Sequence, residues 1–288
     1  MNKFCVQIVL FLLSISVCVN TKSIVAKPDP KKATESKSTK FYPTNDTSEE
    51  IYEKNKHLLC TNPEETMQAE KLMNEAVTHL EYHATSKDYK LCKKYNFHHA
   101  FFYKKKHQNH TDVEKIQYTI DDPDKYNEVI NDLWNSDSVK LLIVGPAKIT
   151  RVYNPNLVMI QQRYKKKFGR RQKYFYALAK KIEISKDKTI IVMTSVNVID
   201  QNPSNKKYKN TIIENANLFK TTIDSEDDIR KGELKKTFLN IAGYIIEKRK
   251  KYVDITYVES IDCHVTKSLY MVFPLINKHI FHIYFSAP

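Results

Sequence analysis

His79 and His83 stand four residues apart in a run with helical spacing, which puts both imidazoles on one helix face, as in zinc hydrolases. Leu80 occupies the position where such an enzyme carries its general-base glutamate, so the pair reads as ordinary helix histidines. Cys263 and His264 are neighbours, but a thiolate nucleophile needs a base placed beside it in space, and no residue in the chain marks one. The acids Asp224, Glu226, Asp227 and Asp228 lack the ligand spacing and turn glycine of a calcium loop and read as a solvated turn. The 4 glycines, Gly145, Gly169, Gly232 and Gly243, are too scattered for a dinucleotide fingerprint, a phosphate loop or a nucleophile elbow. The reading is a non-enzymatic protein with no cofactor and no metal.

One segment mixes cations with aromatics, from Tyr164 through Lys165, Lys166, Lys167, Phe168, Arg170 and Arg171 to Tyr174. It reads first as a solvated hairpin tip, next as a dock for an anionic membrane and last as a nucleic-acid contact. The chain carries 47 Lys and Arg against 33 Asp and Glu, a formal charge of +14 that favours anionic surfaces. Lys3 followed by the apolar run Val6 to Val19 reads as a secretory signal peptide over residues 1–19, too short for a membrane span. Secretion removes most nucleic-acid partners. Residues 20–47 are too polar to bury a core and are expected to be a disordered linker, leaving one domain over residues 48–288. Outside the leader, Cys60 and Cys92 flank a helical segment and are the expected disulfide pair, with Cys263 left free.

The elements that must position these residues follow an α+β order. Ser48 caps a helix reaching Leu59. Asn62-Pro63-Glu64-Glu65 opens a long helix to residue 84, whose Ala69, Leu72, Met73, Ala76, Val77, Leu80 and Ala84 form one apolar stripe. Short strands are predicted over 89–95, 99–104 and 114–120, then a helix from Asp122-Pro123 to about Asn135. A β-rich meander follows over 148–153, 157–165, 172–184, 188–199, 209–222, 234–248 and 251–261. In its last run Val253, Ile255, Tyr257 and Ile261 alternate with Asp254, Thr256 and Ser260, the period of a half-buried strand.

Gly243-Tyr244, a charged turn, Ile255-Thr256-Tyr257-Val258 and Asp262 together resemble the late hairpin of START (StAR-related lipid-transfer) domains. Asp122-Pro123 through Leu133-Trp134-Asn135 resembles a START helix, and Leu157 through Tyr164 the strand after it. The runs Ser48 to Cys60, Tyr153 to Tyr164 and Tyr208 to Leu218 resemble the secreted fam-a proteins of rodent malaria parasites (Plasmodium). The resemblance implies a START-like helix-grip fold, a curved antiparallel sheet with N-terminal helices and a short C-terminal helix. It also implies binding and transfer of a phospholipid, with phosphatidylcholine as cargo, and placement in the parasitophorous vacuole or host red cell. Pro155-Asn156 stands where many START strands carry Arg-Asp, and Asp262-Cys263-His264-Val265 where an Asp-Pro-x-Gly turn is usual.

On this reading the protein is a monomer with a deep lipid cavity. At ~0.8 kcal/mol per buried CH₂, two acyl chains of about 15 methylenes carry roughly 24 kcal/mol of gross transfer energy. Leu157, Met159, Tyr176, Leu178 and Met193 are the expected apolar contacts. Gln161 and Arg163 continue the face of Leu157 and Met159 toward a phosphate, while Tyr174, Tyr244 or Tyr257 would face a quaternary ammonium. Pro274 with Phe273, Ile276, Ile280 and Ile283 gives a final helix of about 12 residues, roughly 18 Å long, an incomplete lid. The alternative function is a non-enzymatic host- or membrane-interaction protein that uses its basic surface on the same fold.

Overall fold

The computed structural model describes residues 47–95, 99–108, 111–135, 138–139, 145–166, 168–204 and 206–262, all within the compact unit 44–288. The expected signal peptide and linker up to residue 46, Cys263 and the final helix lie outside the described residues.

Helix α1, Ser48–Lys54, is capped by Thr47 and not Ser48: the Thr47 hydroxyl accepts from the Glu50 amide while Glu50 accepts from the Thr47 amide at 2.6 Å. It stops short of the expected Leu59 because the Asn55 side chain donates to the Ile51 carbonyl, after which Lys56–Leu58 form a 3₁₀ turn. Helix α2, Pro63–Thr85, begins as the sequence implies, with the Asn62 side chain accepting from the amides of Glu64 and Glu65 at 3.0 and 3.2 Å. Its buried stripe is the expected one with His83 added. Strands β1 (Lys90–Tyr95), β2 (Ala100–His107) and β3 (Thr111–Asp121) follow, then helix α3, Tyr126–Leu133, which buries Tyr126, Val129, Ile130 and Leu133. Trp134 already belongs to β4 (Trp134–Asn135), which pairs with β5 (Ser138–Val139).

The meander runs through β6 (Ala147–Asn154), β7 (Leu157–Arg163), β8 (Lys173–Ser185), β9 (Lys188–Thr194), β10 (Asn197–Ile199), β11 (Lys220–Thr222), helix α4 (Asp227–Arg230), β12 (Lys235–Lys236), β13 (Phe238–Lys248) and β14 (Tyr252–Asp262). The main sheet has the order β1-β2-β3-β14-β13-β9-β8-β7-β6, antiparallel along this path, with β12 added beside β8. Pairing of β14 with β3 joins the last described strand to the first three. Laid across this sheet, α2 packs on β8, β9, β13 and β14, giving the α+β helix-grip arrangement.

Two strand expectations are corrected. The 209–222 run is a strand only at its end, β11 (Lys220–Thr222): before it the Asn210 side-chain carbonyl accepts from the amides of Ile212 and Ile213, and the Asn217 side chain accepts from the Asn210 amide. These local bonds turn the chain and compete with sheet pairing. The 188–199 run breaks at Ser195, whose hydroxyl donates to the Tyr176 carbonyl and accepts from the Leu239 amide. Cys60 and Cys92 are both free, each sulfur donating to a nearby backbone carbonyl, so the expected bridge is absent.

Candidate functional site

Because side chains alternate along each strand, the sheet presents two faces with separate apolar clusters. The α2 face holds Leu157, Met159, Tyr174, Tyr176 and Leu178 against α2 and the segment from Val196 to Leu234. Opposite it, the α3 face holds Phe102, Ile116, Tyr118, Ile160, Phe175, Met193, Tyr244, Ile246, Ile255 and Tyr257 against α3.

The ten residues expected to line one cavity therefore do not come together. Leu157, Met159, Tyr174, Tyr176 and Leu178 are on the α2 face, joined there by Gln161 and Arg163. Met193, Tyr244 and Tyr257 are on the α3 face. The period of two is the cause: odd-numbered residues of β7 point toward α2, and their β8 partners, Met159 to Leu178, Gln161 to Tyr176 and Arg163 to Tyr174, share that side.

On the α2 face the polar groups around β7 and β8 are bonded within the fold, whereas His83 of α2 and Tyr89 beside it are not. Arg163 donates to both carboxylate oxygens of Asp228, at 2.6 and 3.0 Å, and lies 3.3 Å from Glu226. The Arg163 bonds come first in holding the Asp228 carboxyl below its usual range. Gln161 donates to the Tyr176 hydroxyl and to Glu226, each at 2.7 Å. The cluster expected to be a solvated turn thus contributes two of its acids to this face. Tyr174 donates to Asp200 and Tyr153 to Glu65, while Tyr176 also shares a bond with Ser225. Burial pushes the Glu65 carboxyl up, but hydrogen bonds from Tyr153, Thr221 and Arg151 outweigh it and hold it low. Three buried lysines are tied to α2 or the chain just after it: Lys180 to Glu70 and Asn74, Lys115 to the carbonyls of Ala84 and Ser86, and Lys105 to Ser86 and Asp88.

The α3 face differs. One row crosses it in register, Phe102, Ile116, Tyr257, Tyr244, Ile191 and Lys181, one residue from each of six adjacent strands. At its centre the Tyr244 and Tyr257 rings lie 4.7 Å apart. Tyr257 donates to Glu259 at 2.7 Å, and Glu259 is itself buried. The Tyr244 hydroxyl and the Trp134 Nε1 are buried with no hydrogen-bond partner. Burial, with Tyr118 and Glu259 behind it, holds the Tyr244 hydroxyl well above the usual tyrosine value, so it stays a donor. The half-buried Lys181 ammonium lies 5.9 Å from the Trp134 ring centre, and desolvation holds its pKa down. Trp134 enters the sequence reading only as the end of a helix, and Glu259 and Lys181 not at all; continuing the alternation Val253, Ile255, Tyr257 by one step would have found Glu259.

Two further features belong to the α2 side of the sheet. His83 is fully buried with neither ring nitrogen bonded, and burial, then Lys105, His107 and His79, push its pKa down to about 3. A cavity of about 490 Å³ with a mixed polar and apolar lining opens by the C-terminal end of α2, among residues that include Ala84, Tyr89, Lys115, Gln117, Ile245 and Asp254. It adjoins α2 and is not lined by the α3-face row. Among the described residues no His, Cys, Asp and Glu group is placed to hold a metal ion, and no helix is long and apolar enough to cross a membrane.

Comparison with solved structures finds lipid-transfer proteins of low sequence identity. Human StAR-related lipid transfer protein 5 is 11% identical over 76% of this chain and 93% of its own, with a TM-score of 0.46. Human STARD10 is 11% identical over 73% and 78%, with a TM-score of 0.44. The lipid transfer and protein localization domain of human StarD13 is 12% identical over 69% and 87%, with a TM-score of 0.38. No family model matches the chain, and no curated protein matches it.

Proposed function

We propose that this chain binds a lipid against the α3 face of its sheet and carries it between membranes. The observation that carries this reading is an apolar face, spanning every strand from β2 to β6 in sheet order, on which two buried donors, Tyr244 Oη and Trp134 Nε1, have no protein partner. Buried polar groups without partners cost about 1–3 kcal/mol each, and a lipid's oxygen atoms would supply the missing acceptors. The sequence resemblance to START domains and to fam-a proteins supports the same reading. From it come the finer parts of the proposal: phosphatidylcholine as cargo, a secreted monomer without enzymatic activity, and residence in the parasitophorous vacuole or host red cell. Native mass spectrometry of the purified chain after incubation with phosphatidylcholine vesicles tests it, a one-lipid mass increment being the expected result.

A second reading rests on Phe168, fully exposed in the β7–β8 turn and followed by the exposed Arg170, with Lys165 and Lys166 exposed just before it. An aromatic flanked by cations suits an anionic membrane surface, and the same fold would then serve as a membrane- or host-interaction module. Phe168→Glu should weaken sedimentation with vesicles containing phosphatidylserine while leaving lipid loading intact. Unchanged sedimentation would exclude this tip as the dock.

A further inference from the structure

We propose that the Tyr244 hydroxyl donates a hydrogen bond to an uncharged carbonyl oxygen of the bound lipid, the acyl ester of a diacyl lipid, and so selects esters over ethers. This rests on the lipid-binding reading and adds to it the part of the cargo that is recognised. Tyr244 is fully buried at the middle of the α3-face row, its ring is fixed by packing on Tyr257, and its hydroxyl has no partner. The three buried tyrosines of the α2 face all have partners; among the described tyrosines only Tyr89, partly buried at the margin of that face, shares the condition of Tyr244.

The charge around Tyr244 decides which acceptor fits. The buried carboxyl group of Glu259 lies close enough to act on both Tyr244 and Tyr257 and already takes the Tyr257 hydroxyl proton donor at 2.7 Å. All three buried lysines face α2. On the Tyr244 row the cation is Lys181, aligned through Ile191 and so two strands away, about 10 Å. Among the described residues, a phosphate at Tyr244 would meet a carboxyl neighbour and no cation nearer along its row than Lys181, whereas a neutral carbonyl meets a donor and no repulsion. Trp134 Nε1 is the other donor without a partner, but it adjoins Lys181 and so does not discriminate between neutral and anionic acceptors.

The test compares loading from vesicles of diacyl phosphatidylcholine with loading from vesicles of its dialkyl ether analogue of equal chain length, read by native mass spectrometry. Ether oxygens accept hydrogen bonds less well than ester carbonyls. The full chain should take the diacyl lipid on the order of tenfold better, the ratio that one buried hydrogen bond supplies. Tyr244→Phe should lose that preference by binding the diacyl lipid more weakly, with no fall in the melting temperature of the empty chain, because the hydroxyl holds nothing within the fold. Equal loading of both lipids by the unaltered chain, or an undiminished preference in Tyr244→Phe, overturns the contact alone. Loading of neither lipid overturns the lipid-binding reading and this contact with it.

Discussion

The two faces of the sheet are built from the same strands and similar residues, yet around β7 and β8 the α2 face bonds its polar side chains within the fold, His83 and Tyr89 near the C-terminal end of α2 excepted, while the α3 face leaves two buried donors unbonded. On the α2 face, Arg163, Gln161, Tyr174, Tyr176 and Lys180 are each bonded to a side chain of α2 or of the segment between β10 and β12. On the α3 face, Tyr244 and Trp134 are buried without partners. A satisfied face fixes structure, and an unsatisfied one has bonds left to make with something else. On the proposed function, the β7–β8 part of the α2 face supports the fold and the α3 face binds the lipid.

The largest expected effect breaks the supporting face. A Cβ at Gly243 would lie 2.4 Å from the Ile191 carbonyl and 2.7 Å from a Leu80 methyl, so only glycine lets α2 approach this strand. Gly243→Val should cost about 3 kcal/mol in chemical denaturation. An unchanged midpoint would mean that α2 does not rest on the sheet there.

Next comes acid sensitivity on the same face. His83 faces Lys105, His107, His79 and Asp88, and its pKa falls from 6.5 to about 3 on folding. The unfolded chain therefore takes the proton first. The stability this residue contributes is complete above pH 6.5, is lost as the pH falls, and is gone below about 3. Between pH 7 and pH 5 the loss should be about 2 kcal/mol, and His83→Phe should remove that part of the pH dependence. Parallel stability profiles for the two chains would contradict it.

A smaller effect separates the faces most cleanly. Arg163→Ala should lower stability by about 1 kcal/mol, through loss of the partly exposed bonds to Asp228 and Glu226, and leave lipid loading unchanged. Weakened loading at unchanged stability would return Arg163 to the phosphate role that its sequence position suggests.

Much of this fold is legible in the sequence because its signals are local. Asn62-Pro63-Glu64-Glu65 and a 3.6-residue stripe define α2, and the alternation of Val253, Ile255 and Tyr257 gives β14 its buried face. Periodicity separates the two sides of a strand but does not say which side each element covers. That choice rests on pairings such as β3 with β14, far apart in the chain, which is why Leu157, Met159, Gln161 and Arg163 were grouped with Tyr244 and Tyr257. The partners of Glu226 and Asp228 are likewise hidden, since Arg163 lies more than sixty residues away. The Asn210 and Asn217 bonds that undo most of the expected 209–222 strand are local, but nothing in a β-prone run marks them in advance.

Assignment of binding to the α3 face is tested most directly by comparing two single substitutions in one lipid-loading assay. Ile255→Trp adds bulk to the α3 face beside Tyr257, and Leu178→Trp adds it to the α2 face beside Met159. With native mass spectrometry after incubation with phosphatidylcholine vesicles, and with folding checked by circular dichroism, Ile255→Trp should lose the bound-lipid mass. Leu178→Trp should keep it, at some cost in stability. Loss of lipid in the α2-face variant with retention in the α3-face variant would contradict the account.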